Sequence, residues 1–309
     1  MPEHQNKLKV LYVAGNGRSG STLLDVILGQ VDGFFPVGEV RNVWDYGFVE
    51  KRPCGCGRPV PDCDIWSRVW ETEFGGDRAV DPAQIARFRE RFAQTKHLAS
   101  MLARPNTYAR RSPEIREYLS VLERLYHAIA HVTASRVVVD SSKWPTYGFL
   151  LDQIPSLDVH YLHLVRDPRA CAYSWTRKKE VEPGRLLDVQ GPVYTTAYWV
   201  AWNPVIRHLW KRREGRYRFL RYEDFVASPR ESVRQVLKFV GEGDAMSPFT
   251  SDTIVPVSTT HSIEGNASRF VRGEIEIRAD QEWREKMSAR NRLVVTAMTW
   301  PLLLRYGYW

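Results

Sequence analysis

The sequence has no run of about twenty consecutive apolar residues, which excludes an ordinary membrane-spanning helix. The longest candidate, LVVTAMTWPLLL, is short, and its interruption by Pro301 is typical of a core helix and its end. The N-terminus MPEHQNKLKV has no apolar signal segment, and the chain has neither low-complexity segments nor internal repeats. We therefore expect a cytoplasmic globular protein rather than a membrane protein or a repeat array.

Cysteine is scarce, with four residues in 309. Three of them, Cys54, Cys56 and Cys63, lie in the segment CGCGRPVPDC, and Cys171 lies in a helical pattern. Tetrahedral zinc needs four ligands, and no fourth is obvious in this segment. Reduced thiols in a loop rich in glycine and proline, one disulfide, and part of a metal site all stay open.

The chain is basic, with 44 Lys and Arg residues against 36 Asp and Glu, a net charge of +8 and a pI of about 9.3. This balance predicts an anionic partner: nucleic acid, an acidic membrane surface or a polyanionic cofactor. The basic residues are scattered rather than concentrated in a tail, which argues against nucleic acid. A length of 309 residues is enough for one large domain or two small ones.

Short β-branched and aromatic runs alternate with helical patterns along the chain. The predicted strands are 8–14, 136–140, 158–165 and 217–221, and the predicted helices are 20–31, 82–101, 114–133, 167–180, 195–213, 228–240 and 281–299. The alternation predicts an α/β fold, a P-loop-like parallel sheet flanked by helices, as a single domain over 1–309. The ranges 34–80 and 242–280 lack periodicity and are predicted to be irregular loops over the active-site face.

Ligands of such folds bind beyond the carboxyl ends of the strands, so the turns after Ala14, Asp140 and Val165 are candidate sites. The first turn, in VAGNGRSGSTLL, is similar to the phosphate loop of nucleotide hydrolases but has Ser21 where that loop has lysine. Backbone amides and the start of a helix predict phosphate binding there; a plain glycine turn is the alternative. The candidate residues of this loop are Gly17, Arg18, Ser19, Gly20, Ser21 and Thr22.

The third turn lies in LHLVRDPRACAYSW, where Arg166 follows a strand and Ser174 comes eight residues later. Eight residues are about two helical turns, so both side chains are predicted to face one anion. The alternative is an ion pair of Arg166 with Asp167 at the helix start. Lys178, one helical turn after Ser174, is a further candidate, although the run RKK also fits a solvated face.

Together, GNGRSGSTLL and LVRDPRACAYSW resemble the two nucleotide-binding signatures of the sulfotransferase superfamily, which uses 3′-phosphoadenosine 5′-phosphosulfate (PAPS). The resemblance implies that the first loop holds the 5′-phosphosulfate and that Arg166 and Ser174 hold the 3′-phosphate. It extends to RYEDFVASP, where Tyr222 matches the family's tyrosine near the adenine. In HSIEGNASRF, near the family's last cofactor loop, the candidates are Asn266, Ser268 and Arg269. The resemblance also implies that no metal is required, which accounts for the missing loop lysine.

The segment PVGEVRNVW resembles the Gly-Glu-x-Arg stretch of tyrosylprotein sulfotransferases, which implies that Glu39 is the general base, with Arg41 beside it. A solvated loop carboxylate is the alternative for Glu39. The small-molecule branch uses a histidine, and His163 is the reserve candidate. In VVVDSSKWP, Lys143 matches a lysine that stabilises the sulfonate, with an ordinary surface lysine as the alternative, and Arg18 would stabilise the bridging oxygen.

The resemblance implies a sulfotransferase that passes a sulfonate from PAPS to an acceptor hydroxyl, on a small molecule or a carbohydrate. The alternatives are a protein-tyrosine sulfotransferase and an ATP-dependent small-molecule kinase, which the missing lysine disfavours. A non-catalytic anion or nucleic-acid binder is a minor hypothesis. The range 34–80 and the aromatic helix TTAYWVAWNPVIRHLW are expected to shape the acceptor pocket. The sequence predicts neither the acceptor nor the oligomeric state.

Overall fold

A computed structural model describes residues 7–76, 79–103, 107–182 and 184–309. Its centre is a five-stranded sheet in which every neighbouring pair of strands is parallel. The strands of the described residues, inside and outside this sheet, are β1 Leu8–Gly15, β2 Phe34–Gly38, β3 Val137–Lys143, β4 Leu157–Val165, β5 Glu180–Glu182, β6 Arg185–Leu186, β7 Tyr217–Arg221, β8 Ile254–Val257 and β9 Gly273–Glu276. The order in the sheet is β2-β3-β1-β4-β7, while β5 with β6 and β8 with β9 form two small antiparallel pairs.

Helices cover both faces of this sheet. They are α1 Ser21–Leu28, α2 Asp64–Glu73, α3 Pro82–Phe92, α4 Leu98–Ala103, α5 Pro113–Thr133, α6 Pro145–Leu151, α7 Pro168–Thr176, α8 Pro192–Trp210, α9 Tyr222–Ala227, α10 Pro229–Phe239, α11 Trp283–Lys286 and α12 Ala289–Tyr306. Among the described residues, no helix has both the length and the apolar character that crossing a bilayer requires.

Alternate residues of β1 supply two separate cores, because successive side chains of a strand point to opposite faces. Val10 and Tyr12 pack in the cluster that holds the buried residues of α5, α6 and α8. Leu11 and Val13 pack in the cluster that holds those of α1 and α10. Burial on both faces explains why β1 is a nearly continuous apolar run, and it leaves the carboxyl edge of the sheet for the site.

The predicted α/β fold is confirmed, but some predicted boundaries are wrong. The single helix predicted over 82–101 is two helices in the structure, α3 and α4. The chain turns after Phe92, and the Ala93 carbonyl accepts a hydrogen bond from the Thr146 hydroxyl (2.5 Å). The pattern over 281–299 is also divided, since α12 begins after its N-cap Ser288. It continues through Pro301 and ends at Tyr306, followed by the capping residue Gly307, which has the left-handed φ of 75°.

The ranges 34–80 and 242–280 are not irregular throughout. The first contains β2 and α2, and the second contains β8 and β9. The segment FFPVG was missed as a strand because it is short and contains Pro36. It is the edge strand of the sheet, where proline is tolerated because one side of the strand needs no ladder hydrogen bond.

Gly148 on α6 gives a test of the packing between this helix and the sheet. A Cβ atom there would lie 2.7 Å from the Tyr12 ring and 3.0 Å from the Trp210 ring. Helix propensity alone predicts that Gly148→Ala stabilises the protein by about 1 kcal/mol. We expect instead a loss of about 1–3 kcal/mol in the free energy of unfolding, measured by urea denaturation, because the core is overpacked.

The matched control is Gly191→Ala, since a Cβ at Gly191 would have no neighbour within 4 Å and this glycine has no positive φ. Equal stabilities of the Gly148→Ala and Gly191→Ala proteins would contradict the packing described for α6.

Candidate functional site

The turn between β1 and α1 is a tight loop whose amides are free of helical hydrogen bonds. Arg18 and Gly20 have left-handed φ angles of 69° and 97°, and α1 begins immediately afterwards. Its first backbone bond runs from the Leu24 amide to the Gly20 carbonyl (3.2 Å), so the preceding amides have no intrahelical acceptor. A helix N-terminus of this kind binds anions through these amides and the helix dipole.

Two glycines of this loop are in close contact with aromatic rings. A Cβ at Gly17 would lie 2.7 Å from Trp175, and one at Gly20 would lie 2.5 Å from Tyr222. A larger residue at either position therefore requires a ring to move. The packing fixes the path of the loop and explains why glycine is needed at both places.

Several of the predicted ligand residues meet around this loop. Arg18 donates from Nε to the Ser174 hydroxyl (2.9 Å) and from its guanidinium to the Asn266 side-chain oxygen. Arg166 donates to the Arg18 carbonyl (3.3 Å), and its guanidinium lies 4.4 Å from the centre of the Tyr222 ring. Burial, with a further contribution from neighbouring Arg166, lowers the pKa of Arg18 to about 10. The cluster is thus cationic and partly desolvated, as an anion site requires.

Two adjoining cavities open on the loop and share Arg18, Gly20 and Asn266. The smaller, of about 140 Å³, is also lined by Arg166, Ser174, Lys179, Tyr222 and Ser268, among others. The larger, of about 430 Å³, is also lined by Asn16, Gly17, Ser21 and Thr22 of the loop. Polar groups from three separate turns therefore converge on one connected space.

Three buried polar atoms of this region have no hydrogen-bond partner in the described part of the chain. Nδ2 of Asn16 and Nε of Arg166 belong to residues that line the two cavities, whereas Oγ of Ser19 belongs to a loop residue that lines neither. Leaving a buried donor unpaired costs about 1–3 kcal/mol, so these atoms indicate an anionic ligand with several oxygens. Asn16 was missed in the sequence, although its position directly after a buried strand was a usable signal.

Glu39 and Lys143, predicted from separate segments, are in contact in the larger cavity. Glu39 follows β2, and one of its carboxylate oxygens lies 2.5 Å from Nζ of Lys143. Lys143 ends β3 with a left-handed φ of 70°, and its Nζ also donates to the Ser141 carbonyl (3.1 Å). A non-glycine residue held in this region is strained by about 1–3 kcal/mol, which is characteristic of functional sites.

Two buried carboxyl groups lie beneath this pair and were not predicted. The Ser141 hydroxyl donates to Asp25, and the Ser142 amide donates to Asp140 (2.8 Å). Burial raises the pKa of Asp25 to about 7 and that of Asp140 to about 6. Both groups are therefore partly protonated near neutral pH.

Lys178 and Arg269 lie elsewhere than the sequence suggested. Helix α7 ends at Thr176, so the expected helical relation of Lys178 to Ser174 is wrong; Lys178 is exposed, and Lys179 lines the smaller cavity. Arg269 is fully buried and donates to Glu182 (2.9 Å), and it lines neither cavity.

His163, the reserve base, is buried in the core. Its ring nitrogens each lie 2.9 Å from a partner, Nδ1 from the Tyr217 hydroxyl and Nε2 from the Asn203 side-chain oxygen. Burial lowers the pKa of His163 to about 4. It lines neither cavity, so it is a satisfied core histidine.

The far wall of the larger cavity comes from α8, which supplies its aromatic side chains, and from the β5–β6 hairpin with the residues after it. The predicted aromatic helix contributes Tyr194, Tyr198 and Trp202. The hairpin and the residues after it were missed; they contribute Val181, Arg185, Leu187 and Gln190. From the range 34–80, Glu39 alone lines the cavity among the described residues, so the expectation that this range shapes the pocket is mostly wrong.

Comparison with known proteins gives one family match. Residues 11–244 match the Sulfotransferase family. No curated protein is significantly similar in sequence.

Several solved structures are similar. The sulfotransferase domain of the olefin synthase from Synechococcus PCC 7002 is 24% identical, with 78% of this chain and 75% of that chain covered and a TM-score of 0.40. The sulfotransferase domain from the curacin biosynthetic pathway is 16% identical, with coverages of 94% and 97% and a TM-score of 0.49. Sulfotransferase STF9 from Mycobacterium avium is 14% identical, with coverages of 75% and 63% and a TM-score of 0.41.

The raised pKa of Asp25 predicts how stability depends on pH. The folded protein retains a proton that the unfolded chain loses from about pH 4, because the folded pKa is about 7 against an ordinary 3.8. The contribution of the Asp25 proton to the free energy of unfolding is therefore fully present below pH 4. It is lost as the pH rises through 7, at ~1.4 kcal/mol per pKa unit. We expect Asp25→Asn to flatten the fall in the free energy of unfolding between pH 5 and 7, measured by urea denaturation.

The matched control is Asp252→Asn, an exposed carboxylate that should keep the slope of the wild-type protein. Parallel pH profiles for the wild-type and Asp25→Asn proteins would show that Asp25 titrates normally.

Proposed function

Since the chain belongs to the sulfotransferase family, we propose that it transfers a sulfonate group from PAPS to a hydroxyl of a small-molecule or carbohydrate acceptor. One observation supports this above the others. One cavity is lined both by the cationic phosphate loop at Arg18 and by the pair of Glu39 and Lys143. An anionic donor and a carboxylate base are the two requirements of this reaction.

The residues present fit this donor substrate. The amides of the β1–α1 loop, with Asn16 and Arg18, would hold the 5′-phosphosulfate, and the unpaired Nδ2 of Asn16 would donate to it. Arg166, with an unpaired Nε, lines the smaller cavity with Ser174, Lys179 and Ser268, as expected for the 3′-phosphate. Tyr222 lines the same cavity and would lie near the adenine.

The proposed step is a single displacement at sulfur. The acceptor oxygen bonds to sulfur while its proton passes to the Glu39 carboxylate. The bond from sulfur to the bridging oxygen breaks, and its electron pair stays on the phosphate of adenosine 3′,5′-bisphosphate. Lys143 and Arg18 stabilise the negative charge on the sulfonate and bridging oxygens, as preorganised cations in a partly desolvated site. The step assigns no role to a metal ion.

The larger cavity favours a small acceptor over a protein chain. Its volume of about 430 Å³, part of which the phosphosulfate of the donor would fill, is within the range of about 300–1,000 Å³ typical of small-molecule sites. The rings of Tyr194, Tyr198 and Trp202 offer apolar faces with polar edges, which suit a sugar or a phenol.

Binding of adenosine 3′,5′-bisphosphate tests the donor site. We expect calorimetry to show binding that magnesium does not affect, with ATP weak. Lys179→Ala should raise the Kd about tenfold, since a lost charge-assisted hydrogen bond costs about 1.5–3 kcal/mol. Lys178→Ala is the matched control, because Lys178 is exposed and outside the cavity, and it should leave the Kd within about twofold.

Arg166→Ala should weaken binding at least as strongly as Lys179→Ala, because the Arg166 side chain is buried at the cavity. Magnesium-dependent binding of ATP without binding of the bisphosphate would overturn the donor assignment and favour a kinase.

Glu39→Gln tests the base. It should lower turnover by about 10²–10⁴-fold, because general base catalysis is lost, while the Kd of the bisphosphate changes little. Turnover is followed as release of adenosine 3′,5′-bisphosphate from PAPS over a panel of phenols, alcohols and sugars. Glu50→Gln, an exposed glutamate outside the cavity, is the control. Full activity of Glu39→Gln would place the base on another residue.

A further inference from the structure

The fourth partner of the three clustered cysteines lies far along the chain. The sulfur atoms of Cys54, Cys56 and Cys63 and a ring nitrogen of His261 all lie within 4.8 Å of one another. Nδ1 of His261 is 3.2 Å from the Cys63 sulfur and 3.9 Å from the Cys54 sulfur. All three cysteines are free thiols in the structure.

The spacing of these atoms fits a tetrahedral ion. Zinc bonds of about 2.3 Å to sulfur and about 2.0–2.1 Å to nitrogen place tetrahedral sulfur and nitrogen atoms about 3.5 Å apart. The two measured sulfur–nitrogen distances, 3.2 and 3.9 Å, lie on either side of that value. We propose that Cys54, Cys56, Cys63 and His261 hold a structural Zn²⁺ ion. Three thiolates and an imidazole close the coordination shell, which is typical of structural rather than catalytic zinc.

The surroundings hold each ligand in place. The Cys54 amide donates to the Arg58 carbonyl and the Gly57 amide donates to the Cys54 carbonyl, both at 2.8 Å, which forms a tight turn around Cys56. Cys63 directly precedes α2, so the positive end of that helix favours a thiolate there. The Trp66 indole donates to the His261 carbonyl (2.8 Å), and outer contacts of this kind orient metal ligands.

The ion would join two segments that are distant in sequence and adjacent to the active site. Besides the cluster, the two are linked by the Gly55 amide, which donates to the Ser262 carbonyl (2.9 Å). Ile263 pairs with the end of β2 through Val37 and Glu39, and Asn266 contacts Arg18. None of the four ligands lines either cavity, so the ion would hold the walls of the site without contacting substrate.

Metal analysis of the full chain tests the proposal independently of any sulfotransferase assay. Protein purified without chelators should contain about one zinc per chain by mass spectrometry, as a closed four-ligand site requires. Cys63→Ser and His261→Ala should lose most of this zinc. Cys171→Ala and His208→Ala, a cysteine and a histidine outside the cluster, should retain it.

Cobalt substitution of the wild-type protein keeps the test valid if the ligand variants fail to fold. Co²⁺ should give the thiolate charge-transfer and intense visible bands of a tetrahedral sulfur site. Removing the metal should lower Tm, and adding Zn²⁺ should restore it.

Three results would overturn the proposal: wild-type protein without zinc that gives no cobalt spectrum, zinc content unchanged in both ligand variants, or an intact mass lower by two hydrogens, which indicates a disulfide. Binding of adenosine 3′,5′-bisphosphate, measured on the same protein, separates failure of the zinc site from failure of the proposed function.

Discussion

The backbone pairing between Ile263 and the end of β2 is the interaction on which the site depends. The Ile263 amide donates to the Val37 carbonyl (2.9 Å), and the Glu39 amide donates to the Ile263 carbonyl (2.7 Å). Gly38 is required between them, because a Cβ there would lie 2.3 Å from the Ile263 carbonyl oxygen. This short pairing fixes Glu39 directly after β2 and directs the segment that follows Ile263 towards Asn266. The edge strand β2 therefore positions two lining residues of the larger cavity, Glu39 and Asn266.

Three cations lie together beside the carboxyl edge of the sheet. Arg18, Arg166 and Lys179 line one small cavity, and their mutual repulsion is only partly offset by Asp280. Burial and the neighbouring Arg166 together lower the pKa of Arg18 to about 10, which means that its charge is less favourable in the folded protein than in water. The folded protein therefore carries an electrostatic cost that an anionic ligand removes, and left-handed strain at Arg18 adds to it.

The sequence was sufficient to predict the site residues that come at or directly after the end of a strand, because the carboxyl ends of parallel strands meet at one edge of the sheet. That rule located Arg18, Lys143 and Arg166. It failed where a helix end decided the outcome, since α7 stops two residues before Lys178 and Lys179 enters the cavity instead. Arg269 was predicted as a cofactor ligand because the sequence does not show that its guanidinium is buried and paired with Glu182. The partnership of His261 with cysteines about two hundred positions earlier depends on tertiary structure and has no local signal.

The β5–β6 hairpin lines one side of the larger cavity and forms its own two-stranded sheet, whereas the phosphate loop follows β1 of the central sheet. The hairpin shares no backbone ladder with the strands of the central sheet, while α8 packs in the same core cluster as Val10 and Tyr12 of β1. Substitutions along the hairpin alter the shape offered to an acceptor while the strands that hold the donor keep their hydrogen bonds. The hairpin can therefore be varied without altering the ladder of the central sheet, which makes it the starting point for a library that seeks new acceptors.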